Sequence, residues 1–286
     1  WEDRFVLTYG YTQNMLEAAQ ALLKRNKLDA KGIAKTALYS PDARSSQGVA
    51  RSLGLDAKTQ LQPSLVDVVG NTGAAHALLV LVDALQEARP GDRILCASYG
   101  DGADAFLLRA TEGIGGGQKA ARGVKGCLAL KRTLPSYEKY MAYRGIADLQ
   151  PEPPLRVFGF ASATIEYRDR PSWISMKGSR CRKCGTLHYP VQRVCYNCRA
   201  KDDHDLVRLS DTKGKVFSYT LDNLAGGIDP PVIETIVESE PGARVYCQMT
   251  DADPKDVKIE MPVEFTFRRI HEGAGFHNYF WKCRPV

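Results

Sequence analysis

The sequence has no apolar run long enough to cross a membrane. Its most apolar stretch, AAHALLVLVDAL at 74–85, is about ten residues short of a membrane span and contains Asp83. It also has no recognisable secretory signal peptide, although it begins at Trp1 without an initiator methionine, and we expect further residues upstream. These features predict a cytoplasmic protein without a membrane segment, in which 74–85 forms a buried helix.

Cysteine is scarce outside one cluster. Four of the eight cysteines lie within 181–198, and the others occur singly in strand-like or loop stretches, at Cys96, Cys127, Cys247 and Cys283. This distribution argues against a secreted disulfide framework and favours a reducing compartment. With 286 residues, 44% apolar and 25% charged, the chain is long enough for two globular domains.

Acidic residues are nearly absent from one basic segment. Between Arg168 and Lys201, nine lysines and arginines accompany the single acid Asp169, a local balance of +8, whereas the whole chain carries +6. The rest of the chain therefore sums to −2. Such a segment attracts phosphates, either of nucleic acid or of a phosphorylated cofactor. The alternative is a solvated face around a metal site.

The basic segment contains CRKCGTLHYPVQRVCYNC, two Cys-x-x-Cys pairs separated by ten residues. Each pair can chelate one ion, and four thiolates complete a tetrahedral zinc shell with no open position. Such a closed site is structural and stabilises the fold without taking part in chemistry. We therefore predict structural zinc, with disulfides or an iron–sulfur centre as alternatives, on Cys181, Cys184, Cys195 and Cys198. His188 lies between the pairs, but four cysteines leave it no coordination position.

Residues 1–112 alternate between helical and strand-like patterns, which predicts an α/β domain. NMLEAAQALLKRNKL has apolar residues at helical spacing, AKTALYSP is strand-like, and SSQGVARSLGL is a second helix. LVDVVGNTG then predicts a buried strand that ends in Gly-Asn-Thr-Gly, directly before the apolar helix. PGDRILCASYGDG predicts a turn, a buried strand and a glycine loop.

The rest of the chain changes character twice. Residues 113–170 predict a linker that wraps over its neighbours, with the loose GIGGGQKAARG, the helical SYEKYMAYRGI and the extended PEPPLRV. The zinc ribbon is assigned to 171–209. Residues 210–286 contain five short strand-like runs separated by turn residues, which predicts a small OB-type β-barrel.

Two glycine-containing turns in the first domain are candidate binding elements. Asn71 stands at the start of the apolar helix, where unpaired backbone N–H groups and the helix dipole can hold a carbonyl oxygen or an anion. Tyr99, Gly100 and Asp101 end a strand on a loop that a ligand can approach closely. The alternative is that both stretches are only tight turns.

The first half resembles the C-terminal half of hydroxymethylglutaryl-CoA synthases, especially the archaeal type, which belong to the thiolase superfamily. The similar stretches, in order, are LYSPDARSSQGVARSLGL, VVGNTGAAHALLVLVDALQEARPGDRILCASYGDGADAF and KRTLPSYEKYMAYRGI. Residues 171–286, with WISMKGSRCRKCG and NYFWKCRP, are similar to the zinc-ribbon/OB acyl-CoA-binding proteins that accompany thiolase-like enzymes. Together the two resemblances cover nearly the whole chain.

The resemblance implies a layered α/β/α thiolase-like half, a rubredoxin-like zinc ribbon and an OB barrel, acting on acyl-CoA. In this superfamily the nucleophilic cysteine sits in an N-terminal half that the chain lacks, and none of its four single cysteines falls in that motif. The resemblance therefore implies a partner half, upstream in the same polypeptide or in a separate subunit, and a homo- or hetero-oligomer. It also implies that Arg180, Arg182 and Lys183 hold the phosphorylated ADP part of CoA.

Two positions depart from the synthase pattern. Where the synthases carry a histidine before the dipeptide Ser40-Pro41, this chain has Tyr39, and Asp101 replaces the usual serine. A tyrosine has an unperturbed pKa of about 10, so it suits a proton donor better than a base. The resemblance then implies that Asn71 polarises a thioester or keto oxygen while Tyr39 donates a proton.

Three hypotheses follow. The first is that the chain is part of an enzyme of the thiolase, synthase or retro-aldolase type, which makes or breaks a carbon–carbon bond in an acyl-CoA. The second is a non-catalytic CoA-binding scaffold that docks an active thiolase. The third is a nucleic-acid-binding ribbon/OB protein with stacking aromatic residues; against it, strand alternation places Phe265 and Phe267 inside the barrel.

Overall fold

The chain divides into two units, Trp1–Arg132 and Thr133–Val286, in the computed structural model. The predicted boundaries at 112, 170 and 209 remain predictions, and the predicted extended stretch PEPPLRV lies outside the described residues. No helix in the part of the chain that the structure describes combines the length and apolarity needed to span a membrane. The structure describes residues 2–120, 122–147, 163–225, 229–240, 242–273 and 276–286.

The helices of the first unit follow the predicted apolar spacing. The longest begins with Asp3–Phe5, is π-helical over Val6–Thr12 and continues as an α-helix. The α-helices, numbered in chain order, are α1 (Gln13–Arg25), α2 (Ser45–Ser52), α3 (His76–Glu87), α4 (Ile114–Ala120) and α5 (Gly123–Ala129). Short 3-10 turns occupy Ala30–Gly32 and Gly73–Ala75.

Three strands form the sheet of this unit, namely β1 (Lys35–Leu38), β2 (Arg93–Tyr99) and β3 (Ala103–Arg109). Their order is β1-β2-β3. β1 pairs with β2 in parallel, from Lys35 opposite Ile94 to Leu38 opposite Ala97, and β3 returns antiparallel to β2. β2 is the strand that the sequence predicts before the Tyr99–Asp101 loop, and β1 is the predicted strand that ends at Tyr39.

Helices cover both faces of the sheet, which confirms the predicted α/β/α layering. Leu95 and Ala97 of β2 pack with α1 and α2, whereas the alternate residues Ile94 and Cys96 pack with α3. This is the period-two alternation of a strand that is buried on both faces. The helical residues of the two cores are Met15, Ala19, Leu23, Val49 and Ala50 on one face and Val80 and Ala84 on the other.

The predicted buried strand at LVDVVGNTG is wrong, since Val66–Val69 form a short helical turn. A strand needs a neighbour, and among the described residues the free edge of β1 has one isolated parallel bridge, between Thr36 and Leu61. Leu65 adopts a left-handed conformation with φ of 63°, which is not the extended backbone of a strand. The side chain of Val68 is therefore 55% exposed.

The glycine run at the start of the predicted wrapping linker forms α4 and α5, which pack on α3. Gln118 of α4 donates hydrogen bonds from Nε2 to the carbonyl oxygens of Leu85 (2.7 Å) and Ala88 (2.8 Å). Gly123 begins α5 with φ of 65°, and a Cβ there would lie 1.8 Å from the side chain of Gln86. The left-handed φ favours glycine here, since the flexible end of the Gln86 side chain can move aside.

The second unit begins with α6 (Tyr137–Arg144) and α7 (Ala163–Trp173). α6 confirms the helix predicted at SYEKYMAYRGI. Its ends carry the expected signals, because the Ser136 side chain accepts a hydrogen bond from the Lys139 amide and Gly145 closes the helix in a left-handed conformation.

The zinc ribbon follows as a three-stranded antiparallel sheet. Its strands are β4 (Lys177–Cys181), β5 (Leu187–His188) and β6 (His204–Arg208), in the order β5-β4-β6. β4 therefore lies in the centre. Gly178 is required in β4, since a Cβ there would lie 2.3 Å from the His188 backbone carbonyl oxygen of β5.

Five strands close the predicted OB-type barrel in the order β10-β11-β9-β8-β7. Strict alternation along β8 places Ile233, Thr235 and Val237 inside and Glu234 and Ile236 outside. The strands are β7 (Lys213–Asp222), β8 (Val232–Ser239), β9 (Arg244–Met249), β10 (Pro262–Gly273) and β11 (Phe276–Pro285).

One interior residue predicted for the barrel is misplaced. Phe265 is buried, but Phe267, two residues further along the same strand, is 44% exposed. β10 pairs with β7 only over Pro262–Glu264, so beyond that point the β10–β11 hairpin extends past the closed barrel. Among the described residues, this part of β10 pairs only with β11.

Candidate functional site

The structure brings together two of the predicted site residues, Tyr39 and Asn71. Tyr39 directly follows β1, and its amide donates to the Ala97 carbonyl oxygen (2.9 Å), which extends the pairing with β2. Asn71 Nδ2 donates a hydrogen bond to the Tyr39 hydroxyl oxygen (2.9 Å). Asn71 Oδ1 accepts from the Gly73 amide (2.9 Å). This second bond fixes which end of the Asn71 amide points at Tyr39.

The hydrogen bonds at the Tyr39–Asn71 pair leave the Tyr39 O–H and one Asn71 N–H available as donors. Tyr39 accepts from Asn71, so its own O–H proton has no acceptor among the described residues. The second N–H of Asn71 Nδ2 is also free within the described part of the chain. The pair therefore presents two neutral donors from adjacent atoms, an arrangement that can hold a single carbonyl oxygen or oxyanion.

A buried tyrosine holds Tyr39 in place. Tyr11 donates from its hydroxyl to the Tyr39 carbonyl oxygen (2.7 Å). Its ring makes edge contacts with the rings of Tyr39 (centroids 6.2 Å apart) and Tyr99 (5.7 Å). Burial raises the pKa of Tyr11, so its hydroxyl stays protonated as a donor. Tyr11 thus fixes both the backbone and the ring orientation at Tyr39.

The three predicted pocket residues lie at the β2–β3 turn, but they do not all contact the Tyr39–Asn71 pair. Tyr99 joins the site, with its ring centroid 6.5 Å from that of Tyr39. Gly100 donates from its amide to the Gly102 carbonyl oxygen (2.8 Å), which closes a tight turn. Asp101 is exposed at the tip of this turn. Within the described residues it has no hydrogen bond to Tyr39 or Asn71.

Sequence reasoning missed His76, which is fully buried behind this pair. His76 Nε2 lies 2.7 Å from the Ser64 carbonyl oxygen and Nδ1 lies 3.3 Å from Thr72 Oγ1. The imidazole thus links both ends of the loop that presents Asn71, and its ring meets the ring of Tyr39 edge-on at 5.7 Å. Its sequence signal was a polar residue at the first position of a strongly apolar helix.

None of the single cysteines shares a described contact with Tyr39 or Asn71. Cys96 is buried in β2 on the α3 side of the sheet, where burial raises the pKa of its thiol. Cys127 is exposed on α5, and Cys247 and Cys283 are buried in the barrel. A thiol held neutral by burial is a poor nucleophile.

The second site is the four-cysteine cluster of the ribbon. The sulfur atoms of the predicted ligands Cys181, Cys184, Cys195 and Cys198 all lie within 4.8 Å of one another. Two of these separations, Cys181–Cys198 and Cys184–Cys195, are 3.5 Å. The donor set is therefore four sulfurs around one point, which fits a tetrahedral structural zinc ion.

The two Cys-x-x-Cys turns share one backbone design. In each, the residue after the second cysteine, Gly185 or Arg199, has a left-handed φ (75° and 63°). Its amide donates to the carbonyl oxygen of the first cysteine, Cys181 (2.8 Å) or Cys195 (3.0 Å). These bonds hold the two sulfurs of each pair on one side of its turn, where a single ion can join all four.

Polar neighbours favour the thiolate form at the more exposed end of the cluster. Thr186 donates to Cys184 from its hydroxyl (3.2 Å) and its amide, which lowers the pKa of the Cys184 thiol to about 6. The His188 side chain is only 5% exposed, and neither of its ring nitrogens has a hydrogen-bond partner among the described residues. It is not one of the four clustered donors.

Aspartates beyond the basic segment neutralise part of the predicted CoA patch. Arg182 donates from Nε and Nη2 to Asp205 Oδ1 (2.9 and 2.6 Å), and its Nη1 lies 3.7 Å from Asp203. Asp202, Asp203 and Asp205 all follow Lys201 and so fall outside the segment counted above. Arg180 and Lys183 are exposed and form no ion pair within the described residues.

These features define a class of protein: a layered α/β unit followed by a zinc ribbon and an OB-type barrel. Residues 177–204 match the ChsH2 rubredoxin-like zinc ribbon domain, and residues 206–268 match the ChsH2 C-terminal OB-fold domain. A DUF35 domain-containing scaffold protein of Methanocaldococcus jannaschii is 39% identical over 114 residues, which are 38% of this chain and 80% of that protein. The chain belongs to this family of DUF35 domain-containing scaffold proteins.

A second group of relatives matches a different protein type. A hydroxymethylglutaryl-CoA synthase of Methanopyrus kandleri is 39% identical over 114 residues, 39% of this chain. The match spans only 32% of that synthase. Both resemblances predicted from the sequence are thus confirmed. Among solved structures, one titled Ltp2-ChsH2(DUF35) aldolase has 20% identity and a TM-score of 0.35, and covers 47% of this chain and 98% of its own.

Proposed function

We propose that this chain is part of an acyl-CoA enzyme that forms or breaks a carbon–carbon bond, and that its ribbon and barrel bind CoA and organise the complex. The observation that supports it most directly is the Asn71–Tyr39 hydrogen bond at the end of β1 (2.9 Å), in the stretch that resembles the synthases. Two residues that are distant in sequence meet there, and each keeps a hydrogen-bond donor that no described residue uses.

The chemistry follows from what these donors can do. The Asn71 amide and the Tyr39 hydroxyl would hold the thioester or keto oxygen of the substrate, where negative charge develops when an enolate forms. Tyr39 would then deliver its proton to that enolate or to the alkoxide of a broken bond. Tyr11 and His76 would keep Tyr39 in place, because one binds its backbone and the other packs on its ring.

The partner of this site would be a thiolase-like half that supplies the nucleophilic cysteine. Apolar side chains are exposed on the α3 side of the first unit, namely Leu78 (62%), Val82 (42%) and Phe106 (58%). Leu78 and Val82 are four residues apart and share one face of α3. Burying such residues against a second α/β half would remove apolar area from water.

CoA would bind at the ribbon through the cations that form no ion pair with the described residues. Arg182, one of the three predicted residues, already pairs with Asp205, so we assign the larger share to Arg180 and Lys183. The zinc ion would take no part in the reaction. It would supply a rigid closed site that fixes β4 and thereby the position of Arg180.

The catalytic proposal is tested by Tyr39→Phe, which keeps the ring and removes the hydroxyl. Turnover of 3-keto- and 3-hydroxyacyl-CoAs by the assembled complex should fall by about 10²-fold or more, as expected for loss of a positioned proton donor. Tyr9→Phe is the matched control, because Tyr9 is 63% exposed in the same unit. Full activity in Tyr39→Phe, with an intact fold, would refute the catalytic proposal.

The CoA proposal is tested by reversing the charges of Arg180 and Lys183 together. The dissociation constant for CoA, measured by calorimetry, should rise, and binding to the wild type should weaken with salt. Lys258→Glu is the control, because Lys258 is an exposed barrel lysine. If the double variant binds CoA like the wild type, this placement is wrong. If it loses single-stranded DNA more than CoA, nucleic acid is the better ligand.

A second candidate function is a non-catalytic scaffold that docks an active thiolase-like enzyme. Two observations favour it: the family relatives are named scaffold proteins, and no described cysteine lies at the Tyr39–Asn71 pair. In that case the tyrosine in place of the synthase histidine marks a site that has lost its acid/base group. The Tyr39→Phe experiment separates the two functions, since a scaffold would leave the turnover of its partner unchanged.

A further inference from the structure

Gly10 lies against the end of the Tyr99 side chain. It belongs to the π-helical stretch Val6–Thr12, and a Cβ at this position would lie 2.5 Å from the Tyr99 hydroxyl oxygen. Cβ atoms in proteins essentially never come this close to another heavy atom, so any residue other than glycine would displace the tyrosine. The Tyr99 hydroxyl forms no hydrogen bond within the described residues. Its place therefore depends on the missing side chain of Gly10 and not on a polar contact.

The backbone at Gly10 is fixed by its neighbours in the helix. Asn14 donates from Nδ2 to the Gly10 carbonyl oxygen (2.7 Å). The next residue, Tyr11, is buried and donates from its hydroxyl to the Tyr39 carbonyl oxygen (2.7 Å). A retreat of this backbone from Tyr99 would pull Tyr11 away from Tyr39, so a Cβ at position 10 would move the Tyr99 ring instead. Local π-helical geometry is rare and is frequent at functional sites.

Tyr99 passes its position on to Tyr39 because their rings belong to one cluster. The Tyr99 ring lies edge-on to that of Tyr11, with centroids 5.7 Å apart, and its centroid is 6.5 Å from that of Tyr39. A phenol is rigid, so a displaced hydroxyl carries the whole ring with it. The Tyr39 ring in turn bears the hydroxyl that accepts the hydrogen bond from Asn71 (2.9 Å). A misplacement of about 1 Å at a reacting group can lower a rate by about 10²-fold.

We propose that Gly10 is a positioning residue for Tyr39. Its missing side chain lets the Tyr99 hydroxyl lie directly on the helix. The rings of Tyr99 and Tyr11 then hold the Tyr39 ring where its hydroxyl meets Asn71. The consequence for turnover rests on the proposed function, whereas the positioning of Tyr39 does not.

The contact itself is tested by denaturant unfolding of the full chain as Gly10→Ala, Tyr99→Phe and the double variant. Gly10→Ala should lower the unfolding midpoint, because the new Cβ overlaps the hydroxyl. Tyr99→Phe should rescue it, since the nearest atom is then the ring carbon at an ordinary 3.5 Å. Gly48→Ala in α2 is the control, because nothing lies within 4 Å of its Cβ, and it should raise the midpoint. The proposal is wrong if Gly10→Ala behaves like Gly48→Ala, or if Tyr99→Phe does not rescue it.

The effect on Tyr39 is followed through the side-chain amide of Asn71 in ¹⁵N NMR. Tyr39→Phe removes the acceptor of this amide, so its resonance should move, and an Asn71→Ser sample identifies it. Gly10→Ala should move the same resonance, and the double variant with Tyr99→Phe should bring it back towards the position in Tyr99→Phe alone. An Asn71 resonance that Gly10→Ala leaves unchanged would overturn the link to Tyr39.

Turnover of the assembled complex separates this proposal from the proposed function. Gly10→Ala should lower kcat by about 10-fold to 10²-fold with little change in KM, since only the reacting end of the substrate meets Tyr39. The double variant should return to the rate of Tyr99→Phe. If Tyr39→Phe lowers turnover and Gly10→Ala does not, the positioning proposal fails and the proposed function stands. If Tyr39→Phe keeps full turnover, the proposed function fails, and the Asn71 resonance decides the positioning of Tyr39.

Discussion

At the scale of single residues, the Tyr39–Asn71 site depends on a histidine that was not among the predicted site residues. His76 joins Ser64 and Thr72 across the loop that carries Asn71, and it is fully buried. His76→Phe keeps an aromatic ring but removes two hydrogen bonds, one to the half-buried Ser64 carbonyl and one to the exposed Thr72 hydroxyl, each worth about 0.5–1.5 kcal/mol. It should cost about 1–3 kcal/mol of unfolding free energy. Denaturant titration measures this, and a loss below about 0.5 kcal/mol, the range of surface substitutions, would contradict the assigned role.

A second residue-scale prediction concerns the ribbon cysteines. Cys184→Ser removes one of four sulfur donors that lie within 4.8 Å of one another. The purified wild type should carry about one zinc ion per chain and the variant well below one, since a closed four-thiolate site loses much of its binding energy with any ligand. Elemental analysis decides the point. Cys127→Ser, at an exposed cysteine outside the cluster, is the control, and iron in place of zinc would contradict the assignment.

At the scale of elements, one glutamate ties three of them together. Glu87 at the end of α3 forms ion pairs with Lys35 of β1 and Lys125 of α5. Hydrogen bonds from Lys125 and Lys35 lower the pKa of the Glu87 carboxyl from its usual 4.5 to about 2. The stabilisation is therefore present above pH 4.5 and is lost as the pH falls towards 2.

The Glu87 carboxylate is 35% exposed, so solvent screening reduces its contribution to about 1 kcal/mol. Glu87→Gln should lower the unfolding free energy by this amount at pH 7 and by much less at pH 2.5. The measurement is denaturant unfolding at both pH values. Equal losses at the two values would show that packing, and not charge, holds the three elements together.

Element patterns explain which parts of the fold were predictable. The barrel strands alternate because one face is buried and the other is not, as Thr235 and Glu234 show, so their sequence reports their structure. The β-branched run Val66–Val69 has the same composition but no neighbouring strand, and local sequence does not reveal a missing partner. Asn71 and Tyr39 were predictable through the resemblance, whereas the pairing of Arg182 with Asp205 depended on the register of β4 with β6.

At the scale of the whole molecule, the exposed apolar face of α3 predicts association. The purified chain should form oligomers through Leu78 and Val82, because an uncovered apolar face of this kind usually marks an interface. Leu78→Lys combined with Val82→Lys should convert it to a monomer in light scattering. Leu224→Lys is the control, because Leu224 is 93% exposed in the other unit. A wild-type chain that is already monomeric would contradict this prediction.

The hairpin that extends beyond the barrel has a consequence for local opening. β8 has a paired strand on each side, so its amide protons exchange with solvent only when the barrel opens as a whole. Within the described residues, the amides of β10 beyond Glu264 are bonded only to β11, and we expect this part of the hairpin to separate while the barrel stays closed. Deuterium should therefore enter 267–270 long before it enters 233–238, and the second unit contains two regions that unfold separately.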